Sequence, residues 1–178
     1  MNARSALYRR DAQICLACNL WGRRDRVRRL FATVSRLGDG VFWYALMVLV
    51  VLFDGWQGLI ASTHMAATGL AALLLYSRLK RYTRRPRPFA EHRRIRALAR
   101  PLDQYSFPSG HTLHAVAFTG VAIAHYPMLA WLLLPFSACV AASRVILGLH
   151  YPSDVLAAGA IGGALVALSL WLAPVAAF

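Results

Sequence analysis

The chain carries its apolar residues in long blocks, near 40–53, 59–79, 109–126, 128–147 and 152–172, with basic residues crowded before and between them. Apolar blocks of this length read as the spans of a multi-pass membrane protein. Hydrophobic residues make up 58% of the 178, too many for an ordinary soluble domain of this length. The expected fold class is all-α, a multi-pass transmembrane helical bundle of about five spans. One integral-membrane domain is expected over 38–178, preceded by a basic segment over 1–37.

The first block is short. Its fourteen residues from Gly40 to Phe53 reach about 21 Å at 1.5 Å per residue, against a hydrocarbon core of about 30 Å. The helix is therefore expected to extend upstream into Phe31–Leu37 or downstream to Trp56, with Asp54–Gly58 as a tight loop or interfacial kink. In the second block, His64 is expected to face neighbouring helices and not lipid. Pro86, Pro88 and Pro101 break the connection over 80–107, and a short amphipathic helix is expected around Glu91–Ala99. Gly148 reads as a helix C-cap. Gly159, Gly162 and Gly163 read as small residues that let helices approach closely. In the N-terminal segment Leu7, Ile14, Leu16, Leu20, Trp21, Val27, Leu30 and Phe31 alternate with arginines. That pattern predicts an interfacial amphipathic helix or helix pair on an anionic membrane surface, the alternative being a partly disordered basic tail. No signal-peptide pattern is read at the N-terminus.

The formal charge is +13, from 20 Lys+Arg against 7 Asp+Glu. Such a balance favours anionic partners. Membrane lipids and a lipid phosphate substrate fit it. Nucleic acid does not, because the basic residues flank apolar spans and form no separate soluble module. Nothing in the pattern sets an oligomeric state. Cys15 and Cys18 form a CxxC without a second ligand pair, and Cys139 lies in an apolar block, so the cysteines read as structural thiols and no metal or cofactor is expected.

Three short clusters lie at the ends of the blocks: Lys80 with Arg87-Pro88; Pro108-Ser109-Gly110-His111; and Ser143-Arg144 with His150 and Asp154. With five spans, chain alternation brings all three to one face of the bilayer. In the third cluster Pro152 suits the first turn of the last helix. Asp154 then falls within reach of His150, where a carboxylate accepting from one ring nitrogen would leave the other free to attack. A purely structural His–Asp pair fits this cluster equally well. In the second, a helix start with Gly110 suits an anion, Ser109 adds a hydroxyl, and His111 stands ready to give or take a proton. His114, one turn on, reads as a satisfied core histidine. In the first, Arg87 offers a planar fork and Lys80 a point charge for phosphate oxygens. Arg78, Arg81, Arg84 and Arg85 read as ordinary interfacial residues touching head groups.

In order and spacing, K-x6-RP, PSGH and SR-x5-H-x3-D over residues 80–154 closely resemble the three-part signature of the type 2 phosphatidic acid phosphatase superfamily. The resemblance implies an all-α bundle and a metal-independent phosphatase. It implies that His150 is the nucleophile that forms a phosphohistidine, with Asp154 as its orienting partner. It further implies that His111 protonates the leaving oxygen and later activates water. Lys80, Arg87 and Arg144, with Ser109 and the Gly110 backbone, become the phosphate clamp. The expected function is hydrolysis of a phosphomonoester or diphosphate of an amphiphilic lipid, of polyprenyl, phosphatidic acid or phosphatidylglycerophosphate type. A lipid phosphotransferase and a non-catalytic anionic-lipid-binding protein are the competing readings. Every Lys and Arg falls on the face that carries the clusters. By the positive-inside rule that face is the cytoplasmic side of the inner membrane, whereas many bacterial relatives that recycle lipid carriers are expected to face outward.

Overall fold

A computed structural model describes residues 3–175, and among them every regular element is helical. The elements are α1 (Ala3–Gly22), α2 (Asp25–Leu37), α3 (Val41–Thr83), α4 (Pro88–Glu91), α5 (Gly110–His125), a 3₁₀ turn (Pro127–Leu129), α6 (Ala130–Ile146) and α7 (Pro152–Leu172). Among the described residues three stretches are long and apolar enough to cross a membrane: Val41–Glu91, Pro127–Ile146 and Pro152–Leu172. The chain is an all-α membrane protein.

The longest of these stretches is folded double. Gly55 adopts φ 53°, ψ −117°, a conformation that an L-residue reaches only with strain. The chain reverses there, so that Ser62 Oγ donates to Met47 O at 2.9 Å and Gly58 packs on the Val50 carbonyl. The two arms of α3 thus lie antiparallel. The first arm is not extended at either end. Gly38 to Gly40 separate it from α2, and the reversal is concentrated at Gly55, within the Asp54–Gly58 stretch expected to loop or kink. At this end Tyr126 Oη donates to Asp54 Oδ2 at 2.6 Å, which joins the α3 reversal to the α5–α6 turn. The chain therefore runs five times between a far end, at Gly55 and Tyr126, and a site end.

α5 is the central rod, packed against α3, α6 and α7. Its 16 residues span only about 24 Å, and its buried side chains are mostly small: Thr112, Ala115, Ala117, Thr119 and Ala122. Trp43, Leu46 and Met65 from α3, Phe118 and Val121 from α5, and Leu133 and Val140 from α6 form the main apolar core. Large apolar groups stay on the outside, among them Phe53, Trp56, Trp131, Leu156 and Trp171, as a lipid-facing surface requires. His64 turns inward as expected, with Nδ1 3.1 Å from His125 Nε2. Of the three glycines of α7 only Gly162 makes a close approach, to Val116 and the Leu113 carbonyl; Gly159 and Gly163 have nothing within 4 Å. The helix expected around Glu91–Ala99 is absent. α4 stops at Glu91, because Asn19 takes the backbone there instead, accepting from Arg96 N (2.9 Å) and donating to Arg96 O (2.9 Å).

α1 and α2 are a helix pair, as the N-terminal pattern predicted, but they are docked on the bundle. α1 packs on α6 and α7, and α2 on α6. Cys15 is fully buried against the Val145 and His150 carbonyls, which accounts for one of the cysteines as a packing residue.

Candidate active site

The three clusters meet. A cavity of about 460 Å³ at the site end is lined by Lys80 and Arg87, by Gly110 and His111, and by Arg144 and His150. Each reaches it by a local feature of the chain. Lys80 is on the last turn of α3, buried against Asp103. Arg87 precedes Pro88, which opens α4 at its first position, where a missing N–H is tolerated. Gly110 starts α5 beside the Tyr76 ring, which a Cβ there would meet at 3.4 Å, an ordinary contact.

The spacing of the third cluster has a backbone cause. After α6 the N–H groups of Leu149 and His150 both donate to the Arg144 carbonyl, at 3.1 Å each. The turn needs Gly148 at φ +73°, where a Cβ would lie 2.5 Å from the Arg96 carbonyl. Arg144 and His150 are thereby locked into one tight loop and project into the same space.

Three cations surround His150. Arg87 is held on several sides: Nε donates to Asp103 O (3.0 Å), Nη2 to Asp103 Oδ1 (2.8 Å) and Nη1 to Leu149 O (2.8 Å). The same Nη1 lies 3.3 Å from His150 Nε2. Arg144, buried, donates to Ser35 Oγ. Burial, and then the charges of Arg144, Arg87 and Lys80, push His150 well below its ordinary value. The imidazole is neutral, as a nucleophile must be. With Nε2 against a guanidinium N–H, the ring proton belongs on Nδ1 and the Nε2 lone pair faces the cations.

Two expected contacts differ. Asp154 Oδ2 is 3.7 Å from His150 Nδ1, beyond hydrogen-bond length. Its oxygens are engaged elsewhere: Oδ2 accepts the Tyr151 N–H (2.9 Å) and Oδ1 the Arg85 Nη1 donor (2.7 Å). Asp154 is the third residue of α7, and a carboxylate at that position caps the helix start. Ser109 is fully buried and turns its hydroxyl to Thr112 Oγ1 (3.0 Å), while its N–H meets the Asp154 carbonyl (3.3 Å). It is not among the residues that line the cavity, and its contacts join α5 to α7. His114 is satisfied as expected, with Nδ1 2.9 Å from the Gly110 carbonyl.

Arg85 corrects its reading as a head-group contact. It bridges Asp154 and Asp11 (Nη2 to Oδ2, 2.8 Å), and donates to Ser153 Oγ (2.7 Å). Its guanidinium also stacks 4.2 Å from the Tyr151 ring centroid. Two further carboxylates at the site escaped the sequence reading. Asp103 bridges Lys80 (Oδ2, 2.5 Å) and Arg87 (Oδ1, 2.8 Å). Burial pushes its carboxyl up, but Lys80 and then Arg87 outweigh that and hold it below the usual carboxylate range. Asp39 contacts His111 Nε2.

Beyond the polar end, the cavity continues between the two arms of α3. Trp43, Tyr44 and Met47 line one side, Leu70, Leu73 and Tyr76 the other, and Phe118 lies between. Polar and apolar halves in one cleft suit a molecule with a charged head and a hydrocarbon tail.

Comparison with known proteins agrees with this arrangement. Over 114 residues the chain is 32% identical to undecaprenyl-diphosphatase BcrC of Bacillus subtilis, covering 64% of this chain and 58% of that protein. It is 37% identical to phosphatidylglycerophosphatase B of Escherichia coli over 78 residues, 39% of this chain and 29% of that one. The chain thus spans less than two thirds of the length of these curated relatives. The crystal structure of a transmembrane PAP2-type phosphatidylglycerolphosphate phosphatase from Bacillus subtilis superimposes with a TM-score of 0.76 at 26% identity, covering 94% of this chain and 86% of that one. Residues 57–177, from the second arm of α3 past the end of α7, match the family model of the PAP2 superfamily. By that match and by the meeting of its three clusters, the chain belongs to the PAP2 superfamily.

Proposed function

We propose that this protein is a membrane lipid phosphatase that works through a phosphohistidine on His150, without a metal. The observation that carries the reading is the single cavity in which a buried neutral imidazole faces Lys80, Arg87 and Arg144 and opens into an apolar cleft.

In the first step His150 Nε2 forms a bond to phosphorus as the bond to the lipid oxygen breaks. The three cations and the Gly110 backbone stabilise the charge that spreads over the equatorial oxygens. His111 gives its proton to the departing oxygen. In the second step His111 takes a proton from water, the water oxygen bonds to phosphorus, and the P–N bond breaks to release phosphate. As His150 gains charge, its Nδ1 proton is drawn to Asp154, whose present 3.7 Å separation closes by a small ring movement. Arg85 supplies the counter-charge to that buried carboxylate.

The substrate is an amphiphile, its phosphate at the cations and its tail between the α3 arms. The relatives' names include an undecaprenyl-diphosphatase and a phosphatidylglycerophosphatase, and the cleft suits polyprenyl and glycerolipid phosphates alike. The crowding of arginines at the site end supports a cytoplasmic face in an inner membrane, which a reporter fused to the N-terminus would read. The function is tested by phosphate release from a panel of lipid phosphates in detergent with a chelator present. The expected result is turnover that persists with chelator and is lost in His150→Ala and His111→Ala. Full activity in His150→Ala would overturn the assignment.

A further inference from the structure

The region before residue 57 lies outside the family match, yet besides apolar lining it supplies two polar side chains to the polar end of the site. Ser35, on α2, accepts from Arg144. Asp39, in the Gly38–Gly40 linker between α2 and α3, touches His111. His111 Nε2 is buried and has no partner in hydrogen-bond geometry among the described residues; the Asp39 carboxylate is the polar group brought against it. Nδ1 is then the ring nitrogen left for the substrate.

The linker is shaped to deliver this carboxylate. A side chain on Gly38 would strike Val140 of α6 at 2.9 Å, and one on Gly40 would strike the Tyr44 ring at 2.7 Å. Gly40 also takes φ +140°, which favours glycine. Two tight glycines thus clamp Asp39 between the α6 surface and the start of α3. Although burial pushes the Asp39 carboxyl up, its bond to His111, with the charges of His111, Arg144 and Arg36, holds it below the usual range. It is a carboxylate throughout the working range.

We infer that Asp39 is the positioning residue for His111. It fixes the ring orientation and favours the imidazolium, so that His111 is ready to protonate the leaving oxygen. The other ionisable groups facing His111 are Lys80 on α3, Arg144 on α6 and His150. Burial and both cations oppose a proton on the ring and together prevail; Asp39, the carboxylate in contact with His111, is the group that works against them. On this account α2 and the linker that follows it are part of the catalytic apparatus. The inference rests on the phosphatase reading above and adds a residue to it.

The test exploits the leaving group. p-Nitrophenolate departs without a proton near neutral pH, whereas the oxygen of a glycerolipid phosphate needs one. The value of kcat/KM reports the step in which that oxygen leaves. Asp39→Asn is expected to lower kcat/KM for a short-chain phosphatidic acid by at least ~10-fold, a fraction of what general acid catalysis contributes. For p-nitrophenyl phosphate it should change by less than ~3-fold, since the proton is not needed. Asp39→Glu should restore part of the loss. The basic limb of the kcat/KM profile should move to lower pH in Asp39→Asn, because the imidazolium loses its carboxylate. Unchanged vanadate inhibition would show that the clamp is intact. Equal losses with both substrates, or no loss with either, would overturn the role of Asp39 while leaving the phosphatase assignment standing. A wild-type protein that releases phosphate from neither substrate would overturn both.

Discussion

Asp103 stands on the two cations that a phosphate would need, and Asp103→Asn is therefore a revealing change. Its two oxygens bridge Lys80 at 2.5 Å and Arg87 at 2.8 Å, as two oxygens of a phosphate would. The Lys80 and Arg87 side chains are 8% and 2% exposed, that of Asp103 38%. A charge-assisted hydrogen bond is worth about 1.5–3 kcal/mol when buried. Discounting for the exposed carboxylate leaves about 1 kcal/mol for each of the two. An entering phosphate must displace both, at a cost of about 2 kcal/mol, or about 30-fold in apparent affinity. The amide keeps the shape and removes the charge. The assay is inhibition by inorganic phosphate at fixed pH and salt. The inhibition constant is expected to fall about 30-fold in Asp103→Asn. Stability should move the other way, since two buried cations lose their counter-ion. If phosphate binds more weakly to the variant, Asp103 holds the cations in place for the substrate and the competition argument is refuted.

Two other outcomes follow from the same network. Arg85→Met leaves Asp154, whose side chain is wholly buried, without its cation; a loss of about 3 kcal/mol is expected, read as a lower unfolding midpoint in detergent, together with a fall in kcat. His150 is held well below its ordinary value by burial and by Arg144, Arg87 and Lys80. Below about pH 6.5 the unfolded chain binds a proton there that the native site refuses, so stability falls as pH drops from 6.5 towards the native value. In His150→Gln this part of the pH dependence should disappear from thermal unfolding measured between pH 5 and 7, and an unchanged pH dependence would contradict it.

The helical class was legible because the apolar blocks are long and polar joints separate them. The convergence of Lys80, Arg87, His111, Arg144 and His150 was legible because their spacings place them at alternate ends of those blocks. What escaped was the set of acidic partners, whose contacts span the whole chain. Asp11 reaches Arg85, Asp39 reaches His111, Asp103 reaches Lys80, and Glu91 accepts from the Tyr151 hydroxyl. No periodicity encodes such pairings. Yet a signal was there: a chain of charge +13 has only 7 acidic residues, and a rare carboxylate among so many cations is a candidate for a specific partner. Gly38-Asp39-Gly40 adds a second cue, an acid between two glycines at the mouth of an apolar block. Asp154 was placed correctly in the chain, but its 3.7 Å separation from His150 was not legible, because helix capping and Arg85 hold its oxygens. Arg85 itself looked like one more interfacial arginine, and only the folded position of α1 distinguishes it.

Whether phosphorus passes through an enzyme-bound state is read most directly from its stereochemistry. Hydrolysis or transfer of a substrate made chiral at phosphorus by isotopic and thiophosphate substitution should proceed with overall retention, since two in-line displacements, first by His150 and then by the acceptor oxygen, each invert the centre. Overall inversion would mean that water attacks the lipid phosphate directly, and His150 would not be the nucleophile.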